Sequence, residues 1–525
     1  MLDRVYKAKL KTLRERYISQ FRLEADQIKL RNHIEFVSEA SNQELLDYVS
    51  NGGLVQVSTY NLEKFIEEST NWYFEIFSKE DSDFSDVLLN NDQKGTLKYL
   101  KIKDTPLFRR RFKSKLRLVL NFMEGKFEES GNNVYTRIPF EWYKRYVGRS
   151  SSGSNVDFDM IETLLTAKGL LSFKSNYIPP YRSEDRTITK SGLAKTYWVN
   201  MEMYDHIMQG DKVLIEMEAS ELRQRRTDIA NLPEERKEVI LNLVRYNPGE
   251  EDFDILEDKL DGVSNNKYHL QSYQKRLLES LLIKDLYVLL RNTTDNYGGR
   301  FYTLMTQMKS EMRKNLRYKY EETVELDLSS AQMTILAGFI SSKLNKRTTI
   351  SRLCSDGIFY ESIGAELGLY DATNPDQFRI KEYEYQGEIM SRRDAVKKIC
   401  MLGVYSSEES KSKDRRDFDR ALYNLDNEAY ECLLKLRRSG KYIEKVDATG
   451  RIRKRQLNEL PRAMQFSEQK YIFKVVKELM KLGVEGLVTI HDCIKCKKSD
   501  TKLVKDKMEE IFEKIYGFKC LVNAE

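Results

Sequence analysis

The chain has 525 residues and a formal charge of +6, the small remainder of 88 Lys+Arg against 82 Asp+Glu. A hydrophobic fraction of 40% excludes a disordered polymer, and no apolar run reaches the roughly 18 residues that a membrane helix needs. The N-terminal text MLDRVYKAKLKTLRER has no signal-peptide core, and six scattered cysteines read as reduced thiols, so an intracellular, cytoplasmic protein is expected. At roughly 100–200 residues per domain, the length predicts three or four domains.

Residues 1–130 predict a helical N-terminal region. Apolar residues recur at three- and four-residue spacing, as in Leu45, Leu46, Val49 and in Phe108, Phe112, Leu116, Leu120. Arg109, Arg110, Arg111, Lys113, Lys115 and Arg117 overlay the second of these helices, as a solvated face or as a phosphate-contacting one. Residues 131–210 change pattern. A helix start is expected at 138–146, then a Ser/Gly loop at 150–154 and a helix from Phe158 to Ala167 closed by Gly169. Strands follow at 170–173 and 196–199, around a polar turn at 182–192 carrying Arg182, Arg186 and Lys190. Helix, helix, hairpin is the order of a winged-helix module, which serves DNA backbone or protein docking equally. Residues 211–294 return to helix, ending in an amphipathic run at 273–290, and from 295 short apolar strands alternate with helices.

Three segments in that last region carry chemistry. In Val324-Glu325-Leu326-Asp327-Leu328-Ser329-Ser330, an apolar strand runs into a carboxylate and then into a helix start. In Leu487-Val488-Thr489-Ile490-His491-Asp492-Cys493, a second apolar strand breaks at His-Asp, where a hairpin turn is expected. Aspartates on neighbouring strand ends can hold two Mg²⁺ ions about 4 Å apart, because this hard cation needs only one or two carboxylates besides phosphate and water oxygens. In the third segment, Arg393, Lys397, Met401 and Tyr405 recur every four residues and form one helix stripe. Two cations followed by an apolar and an aromatic side chain suit a triphosphate, a base and a sugar; an amphipathic surface helix is the plainer alternative.

In this order the segments resemble the palm and fingers of the single-subunit nucleic-acid polymerases, comprising the phage and mitochondrial RNA polymerases and the family A DNA polymerases. The resemblance covers roughly 295–525, with motif A at 327–336, motif B at 393–405 and motif C at His491-Asp492. It implies an α+β, mostly helical, right-hand fold. Palm and fingers would occupy 295–525 (fingers about 345–460) and a thumb-like region 211–294. The helical region 1–130 and the winged-helix-like module 131–210 would precede them. By the likeness, Asp327 and Asp492 hold two Mg²⁺ ions, assisted by the backbone carbonyl of Leu328. Lys397 and Arg393 meet the incoming triphosphate, Met401 the base and Tyr405 the sugar. The segment Gly298-Gly299-Arg300-Phe301-Tyr302 resembles a piece in which the arginine approaches template or primer. Arg313 and Arg317, expected on the next helix, add phosphate contacts, and Gln465 resembles the minor-groove-reading glutamine ahead of motif C. The implied partners are a template, a product strand and nucleoside triphosphates, with accessory replication or transcription proteins compatible and no membrane.

Met401, the Gly-Arg-Phe-Tyr segment and His491-Asp492 followed by Cys493 lean toward RNA synthesis, the reading preferred from sequence. Ile335-Leu336-Ala337 and Gln332, five residues after the metal aspartate, lean toward a DNA polymerase of phage or plasmid type. A side chain at that position either leaves room for a ribose 2′-OH or does not. A non-catalytic DNA-binding initiator with a degenerate palm is a further alternative. Cys493-x-x-Cys496 beside His491 also raises zinc, although no second ligand pair lies nearby in sequence.

Overall fold

The computed structural model describes residues 2–50, 56–77, 106–124, 127–130, 133–138, 158–173, 195–208, 210–215, 228–249, 251–253, 265–295, 297–406, 412–438, 442–446, 452–456 and 459–524. They form a mostly helical α+β chain of two compact units, 1–231 with 247–290 and 232–246 with 291–525. The units cut the 211–294 segment apart rather than leaving it as one helical region. Among the described residues, no helix is long and apolar enough to cross a membrane.

In the first unit, helices α1 (Tyr60–Phe77) and α2 (Pro106–Glu124) share a core with a four-stranded sheet. The i, i+4 repeat of Phe112, Leu116 and Leu120 gives α2 one apolar face, which is fully buried, and the Tyr73 ring stacks on Phe112 with centroids 4.9 Å apart. The strands are β1 (Phe127–Ser130), β2 (Asn133–Ile138), β3 (Leu171–Phe173) and β4 (Lys195–Val199), in the antiparallel order β1-β2-β4-β3. Helix α3 (Phe158–Ala167) contributes Ile161, Leu164 and Leu165 to the same core and is followed by Gly169 at φ +75, a conformation glycine adopts without strain. Ile138, expected to open a helix, instead closes β2 opposite Lys195, because Val134, Thr136 and Ile138 form a β-branched alternation. The 139–146 helix, the 150–154 loop and the 182–192 turn with Arg182, Arg186 and Lys190 lie outside the described residues.

The basic face of α2 is largely answered within the fold. Arg109 donates to Asn71 at 2.8 Å, Lys113 pairs with Glu67, and Arg117 makes a two-pronged contact with Glu63, all from α1. Residues 56–59 and 212–215 were expected to be helical, but Gln56–Thr59 and Lys212–Ile215 pair as antiparallel strands. Their partners lie more than a hundred residues apart in sequence, so local periodicity carries no sign of the pairing.

The second unit is built on an antiparallel sheet flanked by helices. The elements that build and flank the site are, in chain order, α4 (Glu234–Leu243), β5 (Arg317–Tyr318), β6 (Glu321–Leu328), α5 (Ala331–Leu344), α6 (Phe359–Glu366), α7 (Arg392–Tyr405), α8 (Lys413–Leu425), α9 (Asn427–Arg438), α10 (Leu460–Lys481), β7 (Val488–Ile490), β8 (Cys493–Lys497), α11 (Thr501–Tyr516) and β9 (Val522–Ala524). Strands run β7-β8-β6-β5, with β9 also against β6. Leu326 faces Ile494 and Val324 faces Cys496 across β6 and β8, so the period of two puts one apolar face under the helices. The same period places Glu325, Asp327, Cys493 and Lys495 together on the opposite face. That face carries the site.

Candidate active site

Asp327 is the penultimate residue of β6 and lies across the ladder from Cys493. Asp492 follows His491 in the two-residue turn between β7 and β8, closed by the Ile490–Cys493 pair. The Leu328 amide points to the Asp492 carbonyl at 3.4 Å, so the two expected metal aspartates occupy adjacent strand ends. Burial raises the pKa of Asp492, while the charges of Arg300 and Lys397 act in the opposite direction. A divalent cation there would relieve the same cost.

The donor set fits a hard cation. Asp327, Asp492 and the Leu328 carbonyl offer oxygens, and the thiol between them is held neutral, since burial and the charges of Glu325, Asp327 and Asp492 push Cys493 well up. Zinc is poorly served. Cys493 and Cys496 are three apart on a strand and face opposite sides of the sheet. Among the described residues, no group of three or more His, Cys, Asp or Glu is arranged to hold a metal.

Helix α7 starts at Ser391, whose hydroxyl accepts from the Asp394 amide at 3.0 Å. Its stripe of Arg393, Lys397, Met401 and Tyr405 is half-buried throughout, whereas Val396, Cys400 and Val404 are fully buried. The Arg393 guanidinium and the Lys397 ammonium lie 5.5 and 5.9 Å from the Tyr360 ring of α6, which aligns both cations along one wall. Arg393 also sits 3.9 Å from Glu361. The stripe is therefore one aligned, partly open surface.

At its far end, the Tyr405 hydroxyl donates to Gln332 Oε1 at 3.1 Å, joining α7 to the first turn of α5. Gln332 Nε2 donates in turn to Glu468 of α10, and Arg300 Nη2 lies 3.3 Å from the other oxygen of that carboxylate. Glu468 is buried, and desolvation together with the charge of Asp492 pushes its pKa up to about 7. The Arg300 loop is fixed by Asp295, whose carboxylate accepts from the amides of Tyr297, Gly298, Gly299 and Arg300. Glu468 escaped the sequence reading because nothing in the text of a long helix marks one of its glutamates as buried against a glutamine 136 residues away.

The remaining expected residues are tied up within the unit. Gln465 packs against Gly298, where a Cβ would come within 2.3 Å of its side chain, and it also hydrogen-bonds the Tyr405 hydroxyl. A second glutamine of α10, Gln469, reaches the hairpin itself: its Nε2 donates to the His491 carbonyl at 3.1 Å and its Oε1 accepts from Phe301 N at 3.3 Å. One helical turn separates the two, so the same helix face was the available signal. The His491 ring lies edge-on to Tyr302 at 5.5 Å, and burial lowers its pKa, keeping it neutral. Arg313 is committed to Glu325 at 3.1 and 3.2 Å and to the Met308 carbonyl, so it is not placed as a phosphate contact. Arg317 belongs to β5 rather than a helix, opposite Glu322, because Ser310–Lys314 has already ended.

No family model matches the chain, and no curated protein matches it. Among solved structures, the POL domain of Pol1 from M. smegmatis, in complex with DNA primer-template and dNTP, is similar over 62% of this chain and 73% of that one, at 11% identity and a TM-score of 0.32.

Proposed function

We propose that the second unit is a template-directed nucleotidyltransferase that extends a nucleic-acid strand, with β5–β9 as palm and α6–α9 as fingers. The observation that supports it is convergence: Asp327 and Asp492 stand on adjacent strand ends, and Asp492 lies within electrostatic reach of Lys397, on a helix that lines up Arg393, Lys397, Met401 and Tyr405. Asp327, Asp492 and Leu328 would hold two Mg²⁺ ions, whose chemistry is to raise the nucleophilicity of a primer hydroxyl and neutralise the leaving phosphate. Arg393 and Lys397 bind and orient the triphosphate, Met401 meets the base, and Arg300, half-buried beside Glu468, approaches the primer–template side.

The sugar preference we assign is deoxyribose, against the narrow lean of the motifs toward RNA. Both ends of the Gln332 amide already have partners in the protein, Tyr405 and Glu468. A 2′-OH delivered there would lose water without gaining a fixed partner, which penalises ribonucleotides. The test is extension of primed and unprimed templates with Mg²⁺ and either dNTPs or NTPs. The expected outcome is dNTP incorporation on primed template, abolished in Asp327→Asn and Asp492→Asn while template binding persists. Template binding without incorporation in the unmodified protein would favour the DNA-binding initiator instead.

A further inference from the structure

Gln332 is a neutral amide whose two ends are nearly the same size, so its shape alone does not say which end faces Tyr405. The surroundings do. Glu468 comes from α10, a different element from the helices that carry Gln332 and Tyr405, and its side chain is 1% exposed. One carboxylate oxygen receives Gln332 Nε2 and the other faces Arg300 Nη2 at 3.3 Å. An ionised carboxylate only accepts, so the amide nitrogen must turn toward it and the amide oxygen toward the Tyr405 hydroxyl. Arg300, in turn, is held by the loop that Asp295 organises and keeps the carboxylate from rotating away. Four segments of the unit thus form one directional series: Tyr405 donates to Gln332, Gln332 donates to Glu468, and Arg300 faces Glu468.

We propose that Glu468 is a positioning residue for sugar selection: it fixes the Gln332 amide in the orientation that holds Tyr405 against the nucleotide sugar and leaves a 2′-OH unmatched. This rests on the polymerase reading of the site and deepens it. Glu468 does not touch the substrate; it acts through Gln332. Loss of the carboxylate frees the amide to turn its NH₂ outward, where it can donate to a ribose hydroxyl, and releases Tyr405 from its acceptor.

The experiment is single-nucleotide extension of a primed DNA template by the full chain with Mg²⁺ at pH 8, where Glu468 is ionised, comparing kcat/KM for dNTPs and NTPs. Glu468→Gln keeps the volume but presents a donor as well as an acceptor. Beside Arg300 its oxygen is drawn to the guanidinium and its NH₂ to Gln332, which reverses the amide. The expected result is a fall in dNTP-over-NTP discrimination of about tenfold or more, carried mainly by a lower KM for NTPs. The swap Gln332→Glu with Glu468→Gln restores at position 332 an acceptor for the Tyr405 hydroxyl, held by the amide NH₂ now at position 468, and should recover most of the discrimination. Thermal melting of each variant separates these effects from unfolding, and the swap remains informative if the single variant does not fold. Unchanged discrimination in a folded Glu468→Gln, or a folded swap that recovers none, overturns the proposal while leaving the polymerase reading intact. Equal loss of kcat with both nucleotide classes would move Glu468 into the chemistry and also overturns it. Absence of incorporation by the unmodified chain removes both readings together.

Discussion

Arg437 of α9, whose side chain is fully buried, lies 2.8 Å from Asp419 of α8, and its other nitrogen donates to the Gly403 carbonyl near the end of α7. Arg415 approaches the same aspartate at 3.4 Å. One carboxylate therefore holds two guanidinium groups behind the helix that carries Arg393, Lys397, Met401 and Tyr405. Removing a partner from such a buried pair leaves a charge without compensation. Asp419→Ala is expected to lower unfolding free energy by about 3–5 kcal/mol, measured by urea denaturation.

Gly403 lies where α7 meets α8. A Cβ there would fall 2.3 Å from the Phe418 ring, which is itself fully buried. Alanine gains about 1 kcal/mol of helix propensity over glycine, but overpacking costs about 1–3 kcal/mol. Gly403→Ala should therefore lower the thermal midpoint. The displacement also falls two residues from Tyr405, so KM for nucleotides should rise in the same variant.

Glu325 faces two cations on the site side of the sheet, Arg313 at 3.1 Å and Lys495 at 3.6 Å. Arg313 makes the two-pronged contact, while burial lowers the pKa of Lys495. Lys495→Met is expected to leave stability within about 1 kcal/mol or to raise it, whereas Arg313→Met should cost about 3–5 kcal/mol. Equal losses in urea unfolding would contradict this division of labour.

His33, in the first unit, is buried between the Tyr48 hydroxyl at 3.1 Å and the Lys284 carbonyl at 2.8 Å. Burial pushes its pKa down to about 4, below the 6.5 of an exposed imidazole. The unfolded chain therefore binds a proton that the folded unit rejects. The stability due to the neutral ring is complete above pH 6.5 and is lost as pH falls toward 4, by about 3 kcal/mol in all. Unfolding of the His33→Gln variant should show a shallower acid limb in that window.

Local pattern made the chemistry-bearing strands legible. Val324, Leu326 and Leu328 alternate with Glu325 and Asp327, and this period of two is what sends the acids to one face. The four-residue repeat from Arg393 to Tyr405 was legible for the same reason: a helix face is a property of spacing alone. What lay hidden depends on distant partners. Arg313 looked available for phosphate until the fold brought Glu325 to it, and Arg117 until α1 delivered Glu63. Glu468 is the extreme case, since its meaning comes from Gln332, Arg300 and Asp492, each on a different element.

His491 adopts φ +57 in a two-residue hairpin turn, a left-handed conformation that glycine reaches at far lower cost. A search for heat-resistant variants guided only by survival of the fold should therefore recover His491→Gly. Those survivors would have exchanged a tense joint for a slack one directly beside Asp492. On the proposed polymerase function, durability and turnover are set against each other at this one turn, and thermostable isolates should show slower strand extension.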